Sequence, residues 1–168
     1  MPYSPEELFR HLDHLGIAHH TVDHAPVFTV EESQQLRGSL AGGHSKNLFL
    51  KNKKGAMWLV TAAEDAAVDL KALTQALGAG RLSFGKPDLL MEVLGVTPGS
   101  VTPFALVNDP DHRVTFVLDE RLMAREPLHF HPLANNATTA VSGDGFRAFL
   151  AATGHQVVAV DFPQAETG

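Results

Sequence analysis

The sequence predicts a mixed α/β (α+β) fold, a largely antiparallel sheet flanked by helices in a single domain spanning residues 1–168. Three observations predict it. Helical and extended segments follow one another in irregular order, without the strict strand–helix alternation of a doubly wound sheet. Turn signals such as "KNKKG" and "DPDH" join apolar runs directly, as in hairpins. The length of 168 residues, with 44% hydrophobic and 19% charged residues, suits one full hydrophobic core.

The elements can be justified in order. Ser4-Pro5-Glu6-Glu7 starts a helix with a capping residue, a proline at the first position and acids in the first turn. Leu8, Leu12 and Leu15 follow at helical spacing, and Gly16 stops it. "IAHHTVDH" alternates as a short strand, and "VEESQQLR" reads as a short helix. Residues 46–51 form a strand, "KNKKG" a turn, and "AMWLVTAA", apolar on both faces, a central strand. "DLKALTQALG" and "KPDLLMEVLG" are helices ending in glycine, with the short strand "RLSFG" between them. "VTPGSVTP" is a loop. "FALVND" and "RVTFVLD" read as strands around "DPDH", and "PLHFHPL" and "TTAVS" as extended segments joined by "ANN". A helix from Ser142 to Gly154 and a strand "HQVVAVDF" close a set of about seven strands and five helices.

Composition excludes several classes. There is no cysteine, hence no disulfide, thiolate metal site or cysteine nucleophile. No apolar run approaches the roughly 20 residues that span a bilayer. The amphipathic, acid-containing N-terminus is unlike a signal peptide, so the expected location is cytoplasmic and the sequon at Asn136 is irrelevant.

The formal charge is -6 at pH 7, yet four of the six lysines, Lys46, Lys51, Lys53 and Lys54, crowd one island. No Asp or Glu falls between Glu32 and Glu64. Lys51, Lys53 and Lys54 read equally well as phosphate contacts or as a solvated hairpin tip. Lys46 follows the flexible "GGHS" and stands at the start of a strand rather than its tip. In "LHFHPLANNATT", His129 and His131 share a face if the segment is extended. A metal would need a third ligand, and none accompanies them at ligand spacing, so no metal or other cofactor is expected. The glycine and prolines of "GVTPGSVTP" can fix a turn whose amides face a cleft and hold an oxyanion, or can form a plain surface turn. Nucleophile motifs are poor: there is no GxSxG, and the SxxK at Ser83–Lys86 lacks its partner motifs.

Taken in order, "HAPVFTVEES", "HSKNLFLKNKKGAMWLV", "DLKALTQALG", "GVTPGSVTPFALVND" and "HFHPLANNATT" resemble the YbaK / prolyl-tRNA synthetase-associated editing domain family. The likeness runs from about Tyr3 to Phe162 and is strongest to free-standing proteins that deacylate alanyl-tRNA(Pro). It implies a trans-editing aminoacyl-tRNA hydrolase. A synthetase pocket that fits proline cannot strongly reject the smaller alanine, so a second site must clear the error. It maps the family lysine onto Lys46, the following asparagine onto Asn47, the GxxxP loop onto Gly99, Ser100, Val101, Thr102 and Pro103, and the family histidine onto His131. Loop amides of residues 99–101 would hold the ester carbonyl oxygen or the ribose. Lys46 would meet the terminal phosphate or ribose. A neighbouring ribose hydroxyl would help place the water, and His131 would shape the pocket or bond the substrate amino group. Val30, Phe49 and Phe84 are the expected lining of a small alanine pocket. The implied partner is the acceptor end of tRNA(Pro), with prolyl-tRNA synthetase or an elongation factor as docking proteins left open, and neither membrane nor DNA. The alternatives are the same fold editing cysteinyl-tRNA(Pro) or a seryl or threonyl substrate, and a non-catalytic tRNA- or synthetase-binding module.

Overall fold

The computed structural model describes residues 2–25 and 42–163. The helix expected at "VEESQQLR" and the pocket residue Val30 lie outside the described residues.

Helix α1 (Pro5–His14) starts as its sequence requires. The Ser4 hydroxyl accepts from the Glu7 N–H, and the Glu7 carboxylate accepts from the Ser4 N–H. Leu8 and Leu12, one turn apart, are fully buried. Helices α2 (Leu70–Leu77), α3 (Pro87–Leu94) and α4 (Gly143–Thr153) each end on a glycine in the left-handed region, Gly78, Gly95 and Gly154.

The strands are β1 (His19–Asp23), β2 (Gly43–Lys51), β3 (Met57–Ala63), β4 (Ser83–Phe84), β5 (Val114–Asp119), β6 (Leu128–Phe130), β7 (Ala137–Val141) and β8 (Val157–Val160). They form one mixed sheet in the order β1-β7-β6-β2-β3-β5-β8, with β4 paired to β2. Four pairings are antiparallel (β1–β7, β6–β7, β2–β3, β2–β4) and three are parallel (β2–β6, β3–β5, β5–β8). All seven residues of β3 are buried, as a strand apolar on both faces must be.

Two expectations are corrected. "FALVND" is no strand: residues 103–108 form a 3-10 helix, opened by Pro103 and capped by the Thr102 hydroxyl accepting from the Phe104 N–H. Phe104, Ala105 and Leu106 are all buried in succession, which a one-sided strand would not allow. The extended segment around the histidines is also shorter than "PLHFHPL": β6 ends at Phe130, so His131 leaves the strand.

The core is knit by aromatic rings. Phe104 meets Phe130 edge-on at 5.6 Å and Phe149 at 5.3 Å, and Phe130 lies 4.8 Å from Phe146. Such pairs add about 0.5–1.5 kcal/mol each beyond area burial. Phe104 directly follows the 99–103 loop and Phe130 directly precedes His131, so one packed cluster anchors both.

Candidate functional site

Lys46 sits on β2 opposite Ala62 of β3, and its side chain is half-buried. Its ammonium donates to the Ala66 carbonyl, in the turn after β3. That turn is held on several sides. The Glu64 N–H donates to the His44 carbonyl, the Ala67 N–H to the Pro163 carbonyl, and Asp65 is clasped by Arg125 at 2.9 Å. The arginine lowers the pKa of the Asp65 carboxyl. Among the described residues no carboxylate pairs with Lys46. A half-buried ammonium with only a carbonyl partner keeps capacity for an anion.

Asn47 points to the other face of β2, since neighbouring strand residues alternate. Its amide oxygen accepts from the buried Thr61 hydroxyl at 2.6 Å, and its amide N–H donates to Ser45. Asn47 therefore braces the β2–β3 pair behind Lys46.

The parallel β2–β6 pairing brings His131 to the same region. Gly43 aligns with Leu128 and His44 with His129. Lys46 and His131 each lie two residues beyond the His44–His129 pair, along chains running the same way. His129 and His131 themselves separate: the His129 ring stacks on His44 at 4.6 Å, whereas the His131 Nδ1–H donates to the Ala137 carbonyl at 3.1 Å. The condition for a shared face, one strand running through both histidines, is not met, because β6 ends at Phe130. Among the described residues no group of three or more His, Asp or Glu could hold a metal.

The loop 97–103 closes against the residues after His131. Gly99 lies so near Asn135 that an added Cβ would come within 3.2 Å of the Asn135 amide nitrogen. Residues 98–100 form a single 3-10 turn. The Ser100 N–H donates to the Thr97 carbonyl at 2.9 Å, so it is already engaged. The Gly99 N–H, in the first turn, has no acceptor within its helix. The Ser100 side chain is buried and accepts from the Thr97 hydroxyl. Val101 is half-buried, and Thr102 and Pro103 are buried supports of the following helix.

His131 is half-buried, and its pKa lies below the ordinary imidazole value. Burial is the largest cause; the Ala137 carbonyl opposes it and nearby His24 adds to it. With Nδ1–H bound to a carbonyl, the neutral ring exposes Nε2 as an acceptor. Among the described residues neither His131 nor His24 is bonded to a serine hydroxyl, so no serine nucleophile is activated by them.

The other expected residues are not gathered here. Phe49 is buried on the face opposite Lys46, its ring so close to Gly85 that any Cβ there would overlap it. Phe84 pairs with Leu50 on β4, on the same face as Lys46 but four residues along, and is 58% exposed. The three tip lysines also divide. Lys51 is half-buried and lines a cleft of about 350 Å³ with Lys86, Asp88, Leu89 and Glu92. Lys53 and Lys54 are exposed beside Arg81, around a cleft of about 310 Å³ formed with Asn52 and residues 78–80. The Asn52 side chain shapes that tip, accepting from the Lys54 and Ala56 N–H groups and donating to the Ala79 carbonyl. Sequence reading missed His24, Asn135 and Arg81. The first two lie inside "HAPVFTVEES" and "HFHPLANNATT", but only the fold shows what they touch.

A family model for the aminoacyl-tRNA editing domain matches residues 24–149. The mouse protein named prolyl-tRNA synthetase associated domain-containing protein 1 is 40% identical over 161 residues, covering 93% of this chain and 95% of its own. The prolyl-tRNA editing protein ProX of Acetoanaerobium sticklandii is 35% identical over 151 residues, covering 89% and 92%. A solved structure named as a candidate trans-editing enzyme for prolyl tRNA synthetase superposes with a TM-score of 0.70 at 22% identity, over 98% of this chain and 99% of that one. The family match spans the β2 lysine, the 99–103 loop and His131 alike, and by it the chain belongs to the aminoacyl-tRNA editing domain family.

Proposed function

We propose that the protein is a trans-editing deacylase that hydrolyses the ester of mischarged alanyl-tRNA(Pro), without metal or covalent intermediate. What supports this reading is a chain of the editing family in which Lys46 on β2 and His131 after β6 follow the paired β2–β6 residues, and Gly99 of the 99–103 loop closes on Asn135. The name of the ProX relative favours a prolyl-tRNA substrate.

The chemistry asks little of the protein. An aminoacyl ester needs a positioned water and a stabilised oxyanion rather than a strong nucleophile. The Lys46 ammonium leaves the Ala66 carbonyl for the terminal phosphate or ribose of the tRNA, a charge-assisted bond in place of a neutral one. The Gly99 N–H faces the carbonyl oxygen as charge develops on it. His131, kept neutral by burial, accepts at Nε2 from the substrate ammonium and so fixes the aminoacyl group. A neighbouring ribose hydroxyl helps place the attacking water. Lys53 and Lys54 contact the acceptor stem.

The test is deacylation of alanyl-tRNA(Pro) by the purified chain, alongside cysteinyl-tRNA(Pro), seryl- and threonyl-tRNA. Turnover confined to the alanyl ester supports the reading; binding of tRNA with no turnover of any ester replaces it with a binding module.

A further inference from the structure

His24 carries an unusual set of contacts. It is the first residue past β1, and its backbone N–H donates to the Asn136 carbonyl at 2.9 Å. Its ring Nδ1 lies 2.7 Å from the Ala25 carbonyl, and Nε2 lies 2.8 Å from the Thr138 hydroxyl. A carbonyl can only accept, so Nδ1 carries the proton; in the neutral ring Nε2 then accepts from the Thr138 O–H. His24 thus grips residues 136 and 138. Ala137, between them, turns its carbonyl to the His131 Nδ1–H. The two rings lie 6.5 Å apart.

Resting on the deacylase reading, we propose that His24 is a positioning residue for editing: by bracketing Ala137 through Asn136 and Thr138, it holds His131 in the tautomer whose Nε2 receives the aminoacyl ammonium. Its charge state adds a second handle. A proton on His24 repels one on His131 and so lowers the His131 pKa. The charged group nearest in register among the described residues is Lys46 on β2, whose ammonium is held on the Ala66 carbonyl. The 132–136 loop, β7 and residues 96–103 carry none, His129 is stacked on His44, and Asp23 at the end of β1 is exposed.

Three variants of the full chain separate these effects, read by imidazole nitrogen NMR across the imidazole range and by deacylation. His24→Gln keeps an acceptor for Thr138 but no charge. His131 should then titrate at higher pH than in the wild type, with its Nδ1–H tautomer retained. His24→Phe keeps a ring and removes both bonds. His131 should show mixed tautomers, and kcat/KM should fall about tenfold or more, as small misplacements at a site do. Thr138→Val keeps His24 and loosens the bracket, with mixed tautomers again. An unchanged His131 titration in His24→Gln together with an unchanged tautomer in Thr138→Val overturns the proposal, even where His24→Phe fails to fold. The NMR readouts stand without turnover. A wild type inert towards every aminoacyl ester therefore sinks the deacylase reading and leaves the His24–His131 linkage to be decided on its own.

Discussion

Lys46 and Lys53 stand seven residues apart on one hairpin and belong to one run of positive charge, yet they live in different physics. Lys46 lies midway along β2, half-buried, its ammonium on the Ala66 carbonyl in a turn tied down by His44, Arg125 and Pro163. Lys53 stands exposed on a turn shaped by Asn52, with Lys54 and Arg81 as neighbours. A cation in the first place gives oriented, short-range interaction, and one in the second gives field and salt-sensitive attraction. A charge run read from sequence is therefore two features, distinguished by what packs around each side chain.

That contrast can be broken most sharply at Lys46. Lys46→Ala should lower kcat/KM for alanyl-tRNA(Pro) on the order of a hundredfold or more, the usual cost of removing one preorganised electrostatic contact. Its melting temperature should stay near that of the wild type, since the bond removed is to a carbonyl of a turn otherwise secured. Near-wild-type turnover would remove Lys46 from the mechanism.

Next in size is the support behind it. Asn47→Ala leaves the buried Thr61 hydroxyl without its acceptor and should destabilise the fold by about 1–3 kcal/mol. Chemical denaturation measures this directly. Activity per folded molecule should fall far less than in Lys46→Ala, because Asn47 faces the other way.

His131 makes the comparison pH-dependent. Its folded-state pKa is lowered, so the native protein resists a proton that the unfolded chain accepts near the ordinary value of about 6.5. The unfolded state then binds more protons, and stability falls as pH drops below that value. Turnover of the folded protein should fall at lower pH still, through the lowered folded-state pKa, as Nε2 becomes a donor and can no longer accept from an ammonium. His131→Gln, which cannot titrate, should flatten the acid limb in a pH–rate profile.

The smallest effect is expected at the tip. Lys53→Ser with Lys54→Ser should weaken tRNA binding only a few-fold at moderate salt. The slope of log affinity against log salt should shrink by about 1 for each lysine–phosphate pairing removed. An unchanged slope would make the tip a purely solvated turn. A drop as large as that of Lys46→Ala would erase the distinction between the two ends of β2.

Much of this architecture is local enough to be legible in the chain. Ser4, Gly78, Gly95 and Gly154 mark helix ends because caps and left-handed stops act within one turn of the backbone. β3 reads as central because a strand covered on both sides must be apolar on both. "FALVND" misleads for the same reason in reverse: an apolar run after proline satisfies a buried 3-10 helix as well as a strand, and only the packing of Phe104 on Phe130 and Phe149 decides. Two of the expected pocket residues, Phe49 and Phe84, do not meet for a related cause. Both have the right chemistry, but strand alternation turns Phe49 to the face opposite Lys46, against Gly85, while Phe84 pairs with Leu50 on the other face.

By itself the sequence determined the mixed fold class, the absence of thiol chemistry, the family and the identity of the lysine, loop and histidine motifs. These follow from local backbone preferences and from residue types held in order. Tertiary structure decided which motifs meet. The parallel β2–β6 register sets Lys46 beside the path to His131, Gly99 closes on Asn135, and His24 reaches across 114 positions to Thr138. Such contacts arise from strand pairing and core packing between segments far apart in the chain, and no spacing within a single motif encodes them.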